Sequence, residues 1–345
     1  MKMDSLDIDR DEFAKLIQAV SQVVLDKFDN LTERKAFHHY SQSEIYEWFN
    51  DELPEEGLDF AELLAHTKSK ITDIATDNLG KHMYAYVMAG GNQISILAEM
   101  LAATVNQNVG KWHLSPSISE IEKRVVQWGA DMIGYNDNIG GVLVSGGSSA
   151  NLHGLTIARN IFFEKNDIRK KGLFNHNPFT IYASNEVHGC VDKSAEILGI
   201  GSNQLRKIES NADFTINLEK LEDQILQDIN AGFNPFCIVG TAGTVNTGAI
   251  DDLNALSDLA KKYDCWFHVD GAYGGLAACL DSIKSNYSGL EKADSVAMDF
   301  HKWLYQPFEA GCVLVKNWDT LRNARKDRRS YDRRWLVLHR RYRIH

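Results

Sequence analysis

The pattern of apolar and polar positions along the chain changes after its first quarter. From about residue 9 to residue 76, apolar side chains such as Phe13, Ile17 and Val20 recur every three or four positions, which predicts helices with one apolar face. Residues 53–57 (LPEEG) interrupt the pattern, because proline and glycine both break a helical hydrogen-bond ladder. We therefore predict an all-helical N-terminal segment whose apolar faces need a partner.

From about residue 142 onward, short apolar or β-branched runs alternate with helical stretches. The runs are VLVS, FTIYAS, FCIVGT, CWFHVD and CVLVK. This alternation predicts crossover units and an α/β fold: a mostly parallel sheet with helices on both faces. Residues 93–106 and 118–134 read as two long helices that pack against this sheet. Ligands of such folds bind beyond the carboxyl ends of the strands.

Composition narrows the class of protein. A chain of 345 residues, 44% hydrophobic and 24% charged, suits a large α/β domain with a smaller appendage. The net charge of −10 argues against a nucleic-acid partner and favours a small molecule. An acidic N-terminus and the lack of a long apolar run predict a cytoplasmic protein that does not bind membranes. The five cysteines are odd in number, dispersed and without a C-x-x-C pair, which predicts buried thiols.

The last stretch differs from the rest of the chain. Residues 322–345 contain about ten lysines and arginines around few apolar positions. A solvated end, or a terminus that has diverged or is out of frame, is preferred over a tail that binds nucleic acid or membranes. The predicted organisation is a helical segment at 1–80, a large domain at 81–320 and a basic tail at 321–345.

Residues 145–151 (SGGSSAN), named here the anion cup, lie between a predicted strand and a predicted helix. Glycines let the backbone approach a ligand, and the N–H groups at a helix start attract an anion that serine hydroxyls can also bind. The segment matches neither the dinucleotide fingerprint nor the Walker A pattern. It predicts a phosphate site, with a simple helix cap as the alternative.

Two further segments carry candidate chemistry. In WFHVDGAYGG, Asp270 ends an apolar strand, and it either caps the following turn or holds a pyridine nitrogen protonated. In MDFHKW, Lys302 has apolar and aromatic neighbours. It is either a surface lysine with its methylenes on apolar surface, or a desolvated amine that forms an imine with an aldehyde. His301 beside it can donate to a phosphate.

The order of cup, aspartate and lysine at strand ends, with the motifs HVDGAYGG and DFHKW, resembles one family. The chain is similar, from about residue 82 to residue 316, to the group II pyridoxal-phosphate decarboxylases of aromatic amino acids, glutamate and related substrates. That family has the type I pyridoxal-phosphate-dependent transferase fold. The resemblance implies pyridoxal 5′-phosphate as cofactor and no metal.

The resemblance also implies roles for individual residues. Lys302 would form the internal aldimine, Asp270 would pair with the pyridine nitrogen, and His188, in SNEVHGC, would stack on the cofactor ring and assist proton transfer. A core histidine is the alternative for His188. The remaining implied cofactor contacts are the phosphate ligands Ser148, Ser149 and His301, and the small residue Ala272 against the ring.

Three positions have two interpretations each. Thr244, in GTAGTVNTGAIDDL, corresponds to a residue near a cofactor oxygen, and it is equally a turn hydroxyl. Asn92 and Gln93 lie in the region that forms part of the substrate pocket in the family. Helix N-capping explains both of them almost as well.

The resemblance implies decarboxylation of an L-amino acid, with an aromatic one favoured, through an external aldimine and a quinonoid. It also implies a homodimer with active sites at the interface. The alternatives are another pyridoxal-phosphate reaction, such as an aminotransferase or carbon–carbon lyase reaction, or a truncated protein that binds cofactor without turnover. The family's C-terminal domain and tyrosine-bearing mobile loop are not recognisable, and Tyr331 is assigned no role.

Overall fold

The computed structural model describes residues 8–29, 31–135, 138–163, 167–174 and 176–317. The chain divides into two compact units, 1–90 and 91–345. The structure thus places a division at residue 90, whereas the predicted boundary at residue 80 stays a prediction. The predicted basic tail at 321–345 and Tyr331 lie outside the described residues.

The first unit is helical, as its pattern predicts. Its α-helices are α1 (Arg10–Asp29), α2 (Gln42–Trp48) and α3 (Phe60–Thr67). Ser41 and Glu44 form a reciprocal capping box at the start of α2, and Asp59 caps α3 through its side chain. The predicted break at 53–57 falls between α2 and α3. None of the residues of these three helices is buried.

The second unit alternates helices and strands. Its α-helices are α4 (Gln93–Val105), α5 (Pro116–Met132), α6 (Gly147–Phe162), α7 (Ile168–Lys171), α8 (Cys190–Ile197), α9 (Leu218–Asn230), α10 (Leu253–Lys262) and α11 (Phe300–Trp303). Its strands are β1 (Gly140–Val144), β2 (Phe179–Ser184), β3 (Leu205–Ile208), β4 (Asn234–Thr241), β5 (Trp266–Asp270), β6 (Ser295–Asp299) and β7 (Gly311–Val315). Within the described residues, no helix has both the length and the apolar character that a bilayer span requires.

The seven strands form one sheet in the order β1-β7-β6-β5-β4-β2-β3. All neighbouring pairs are parallel except those of β7, which runs antiparallel to β6 and to β1. Side chains of β2 alternate between two cores, with Tyr182 in one and Ile181 and Ala183 in the other. Helices therefore cover both faces, and the predicted mostly parallel α/β sheet is confirmed.

The two helices before β1 differ in how they use their apolar residues. Helix α5 buries Val126, Gly129 and Ala130, as predicted for a helix packed on the sheet. Helix α4 buries only Ser95 and leaves most of its apolar side chains exposed, Leu101 to 68%. The structure does not show α4 packed on the sheet, so that prediction is wrong. Helix α4 is apolar on nearly all sides, and the sequence pattern alone does not indicate which surface covers it.

Helix α6 lies so close to β5 that a glycine is required at the contact. A Cβ at Gly154 would lie 2.5 Å from Cε1 of His268. His268 is fully buried, with Nδ1 2.8 Å from Ser295 Oγ and Nε2 2.8 Å from Asn151 Oδ1. Burial lowers the pKa of His268 to about 4, so the ring is neutral and bridges β5, β6 and α6.

We expect Gly154→Ala to destabilise the fold by about 1–3 kcal/mol, because the added methyl overpacks the histidine contact. Urea unfolding measures the free energy of unfolding. Gly189→Ala is the matched control, because a Cβ there meets nothing within 4 Å and its φ is −58°. Equal unfolding midpoints for the two variants would contradict this account of the contact.

Candidate active site

The anion cup begins directly after β1, as predicted, but its residues from Gly147 onward already form the start of α6, so the helix begins earlier than the sequence suggested. A Cβ at Gly147 would lie 2.6 Å from Asp299 Oδ2 and 2.7 Å from the Cβ of Ala272, so only glycine fits there. Ser148 is exposed and Ser149 is partly exposed. The backbone N–H groups at the start of the 16-residue helix α6 favour a bound anion. These features fit a phosphate group.

Asp270 ends β5 on the face that α6 covers. The residue is 5% exposed, and the Ala272 backbone N–H donates to its Oδ1 at 3.1 Å. The turn bond of the simpler interpretation is therefore present. That bond also fixes the carboxylate in a nearly dry position at the carboxyl end of the strand, and its pairing with a pyridine nitrogen stays a prediction.

Lys302 lies in the short helix α11 directly after β6. Its side chain is 23% exposed, and its Nζ lies 3.1 Å from Asp299 Oδ2. The ammonium group is thus directed back toward the strand end and is not a solvent-facing surface charge. The structure brings Lys302, the anion cup and Asp270 to the same edge of the sheet.

His301 faces the anion cup. Its ring is buried, and its Nδ1 accepts a hydrogen bond from the Ala310 backbone N–H at 3.0 Å. Burial lowers the pKa of His301, and an accepting Nδ1 leaves the proton of the neutral ring on Nε2. A Cβ at Gly146 would lie 3.3 Å from His301 Cε1, so the ring lies beside the anion cup. Its predicted role as a phosphate ligand stays a prediction.

Asp299 is a residue of this site that the sequence interpretation did not select. It ends β6 with 2% exposure, and its Oδ1 has no hydrogen-bond partner. Burial raises the pKa of this carboxyl, against the opposing effect of Lys302. The available signal was its position three residues before Lys302, because that spacing brings two side chains together on a helical turn.

His188 lies in the loop after β2 and is exposed. Its Nδ1 accepts from the Cys190 backbone N–H at 3.2 Å. Cys190 is buried, and its Sγ lies 3.5 Å from Nδ2 of Asn151 in α6. The loop is therefore attached next to the anion cup, and the interpretation as a core histidine does not fit the exposed ring. The stacking role of His188 stays a prediction.

The structure gives local hydrogen bonds to two of the remaining candidates. Thr244 is buried, and its Oγ1 lies 2.6 Å from Thr247 Oγ1, as in a turn hydroxyl. Asn92 is the N-cap of α4, and its Nδ2 also donates to the Tyr305 carbonyl at 3.1 Å. Gln93 is exposed as the first residue of α4. The predicted cofactor and substrate contacts of these residues remain predictions.

A sheet whose strand ends bring together an anion cup, a buried aspartate and an inward lysine defines a class of protein, the type I pyridoxal-phosphate enzymes. Among the residues described, no cluster of three or more His, Cys, Asp or Glu side chains is placed to hold a metal ion. Residues 43–333 match the model of the pyridoxal-dependent decarboxylase conserved domain. The chain belongs to this family, and the cofactor that this membership assigns is pyridoxal 5′-phosphate.

Individual relatives agree with this membership. The chain is 32% identical to an aromatic-L-amino-acid decarboxylase of Bacillus atrophaeus, over 91% of its own length and 64% of that protein. It thus spans somewhat less than two thirds of that relative. A solved glutamate decarboxylase domain from Vibrio parahaemolyticus, part of a diaminobutyrate-pyruvate transaminase and L-2,4-diaminobutyrate decarboxylase, matches with TM-score 0.85 and 30% identity, covering 92% of this chain and 70% of that one. The Rhodiola rosea 4-hydroxyphenylacetaldehyde synthase matches with TM-score 0.84 and 26% identity, covering 92% and 68%.

Proposed function

We propose that this chain binds pyridoxal 5′-phosphate covalently through Lys302 and decarboxylates an L-amino acid to its amine. The observation that carries the proposal is the inward Lys302 ammonium, at the same sheet edge as the buried Asp270 carboxylate and the glycine-lined anion cup. Bound there, the cofactor supplies an electron sink for the pair of electrons that a departing CO₂ leaves behind.

Each residue of the site would contact a different part of the cofactor. The backbone N–H groups of the anion cup hold the phosphate, with the Ser148 and Ser149 hydroxyls and His301 Nε2 as further donors. Asp270 holds a proton on the pyridine nitrogen, which makes the ring electron-poor. Ala272, packed beside Gly147, leaves room for a flat ring above it. His188 and Thr244 complete the proposed cofactor contacts.

The proposed substrate side of the site begins at α4. The bond from Asn92 Nδ2 to the Tyr305 carbonyl ties the start of α4 to the segment that follows Lys302. This connection supports the proposal that Asn92 and Gln93 orient the carboxylate of an amino acid near the reacting lysine. We favour an aromatic substrate, and the Bacillus atrophaeus relative, named for aromatic L-amino acids, supports this preference.

A homodimer is part of the proposal. Helix α4 exposes apolar side chains at Ile94, Leu97, Met100, Leu101 and Val105, which a lone chain would leave in water. None of the residues of α1, α2 and α3 is buried. A second copy covering these faces would remove the exposed apolar surface. The cytoplasmic location stays a prediction from composition.

The test is to incubate the purified chain and cofactor with single L-amino acids and to measure CO₂, amine, aldehyde and 2-oxo acid. We expect CO₂ and amine in equal amounts, with turnover fastest for an aromatic substrate. A 2-oxo acid without CO₂ would sink the proposal in favour of transamination.

Two other outcomes would indicate a different function. The Rhodiola rosea protein is named as an aldehyde synthase, so aldehyde released with CO₂ would indicate that kind of reaction. Cofactor binding without turnover is the second candidate. That candidate predicts a cofactor absorbance change on binding and no product from any amino acid.

A further inference from the structure

Asp299 combines burial with an incomplete set of hydrogen bonds. Its side chain is 3% exposed, with Oδ2 3.1 Å from Lys302 Nζ and 3.5 Å from His301 Nε2, while Oδ1 has no hydrogen-bond partner. Burying a carboxylate that is not fully bonded costs free energy, and taking up a proton relieves that cost. The balance at Asp299 therefore depends on the charges around it.

The charged groups that face Asp299 come from two elements. Lys302 and His301 on α11 favour its ionised form, whereas Asp270 on β5 disfavours it, and burial raises its pKa most. The carboxylate also lies beneath the first turn of α6, next to Gly147. An anion bound in the cup would engage the N–H groups there and add negative charge beside Asp299, which favours the protonated carboxyl further.

We propose that Asp299 is the proton acceptor for Lys302 and that it retains that proton while the anion cup is filled. This inference rests on the proposed function, because it concerns how the lysine of the same site becomes reactive. No other carboxylate among the described residues forms an ion pair with the Lys302 ammonium, and the pair is already in contact.

The proton transfer balances without a third reagent. The Nζ–H bond of the ammonium breaks, its electron pair stays on nitrogen, and the proton forms an O–H bond with Asp299 Oδ2. The ammonium–carboxylate pair becomes a neutral amine and a neutral carboxylic acid. The lone pair on Nζ is the nucleophile that an aldehyde carbon requires. The carboxylic acid can donate its O–H to an anion, which a carboxylate cannot.

The first test needs no variant. We expect infrared difference spectra of the full chain, recorded before and after pyridoxal 5′-phosphate is added, to show one aspartate carboxylate converted to a carboxylic acid. Carboxyl-labelled aspartate identifies the residue type. A cofactor absorbance change without any new carboxylic-acid signal would overturn the role of Asp299. No absorbance change at all would overturn the proposed function and this inference with it.

The second test compares Asp299→Asn with Asp294→Asn. Asp294 directly precedes β6, burial also raises its pKa, and it bonds the Phe267 N–H at 2.8 Å at the opposite end of the strand. We expect Asp299→Asn to slow covalent capture of the cofactor about 10²-fold at neutral pH and to lose the infrared signal, with Asp294→Asn unchanged in both. Capture by Asp299→Asn should accelerate with the concentration of a small external base at constant pH.

A purely electrostatic role for Asp299 predicts the opposite kinetic result. Removing the carboxylate would then release more free amine at Lys302, and capture would become faster and independent of buffer concentration. Stopped-flow absorbance distinguishes the two directions. Faster capture in Asp299→Asn would refute the acceptor role.

Discussion

Replacing Lys302 with alanine is expected to abolish covalent capture of pyridoxal 5′-phosphate. The side chain supplies the amine that reaches the strand end, and its Nζ is directed inward by the 3.1 Å contact with Asp299. Without it, no covalent attachment site remains at that position, and turnover should fall at least about 10³-fold. The measurement is borohydride reduction followed by peptide mass spectrometry, together with the cofactor absorbance band.

Lys292→Ala is the matched control, because that lysine is partly exposed and lies outside the site. It should retain the absorbance band, the reduced cofactor adduct on Lys302 and full activity. The Lys302→Ala chain should still bind cofactor reversibly through the anion cup, so its loss on dialysis is part of the expected result. A stable adduct in Lys302→Ala would mean that another amine is the attachment site.

The second large effect is expected from Asp270→Asn. The amide is nearly the same size and keeps the acceptor for the Ala272 N–H, so the fold should be unaffected. It carries no negative charge to hold a proton on the pyridine nitrogen, and the rate of decarboxylation should fall about 10²–10⁴-fold. Covalent capture by Lys302 should persist, which separates this effect from that of Lys302→Ala.

An N-methylated cofactor provides the decisive comparison for Asp270. Its ring nitrogen carries a fixed positive charge, so it does not need the carboxylate to stay charged. We expect it to restore part of the activity of Asp270→Asn and to add nothing to the unsubstituted chain. Failure of the rescue, with normal cofactor binding, would show that Asp270 acts only on the geometry of the turn.

The sequence was a good guide to the strand ends of the sheet. Asp270 ends one apolar run and Lys302 follows another, and such runs form buried strands. Parallel strands bring their carboxyl ends to one edge of the sheet. The need for glycine in the anion cup has a steric cause, because a side chain at Gly147 would collide with Asp299. These positions are dictated by local physics and by topology together.

Other features depended on partners that the pattern does not reveal. Strand β3 reads LRKI, and it is buried at its ends while Arg206 pairs with Asp228 of α9 and Lys207 with Asp192 of α8. Because two of its four residues are charged, the hydrophobicity pattern did not predict β3 as a strand. The exposure of α4 and the lack of a hydrogen-bond partner for Asp299 Oδ1 likewise depend on the folded structure and cannot be inferred from the sequence pattern.

The antiparallel strand β7 links the position of Lys302 to that of the anion cup. After Lys302 the chain returns along β7, whose first residue, Gly311, pairs with Val144 and lies against Gly146. A slip of β7 by one residue would turn its side chains to the other face and disturb the cup and the lysine together. Changes in chain length between residues 303 and 310 would therefore have to be accommodated within that connection, without shifting the register of β7.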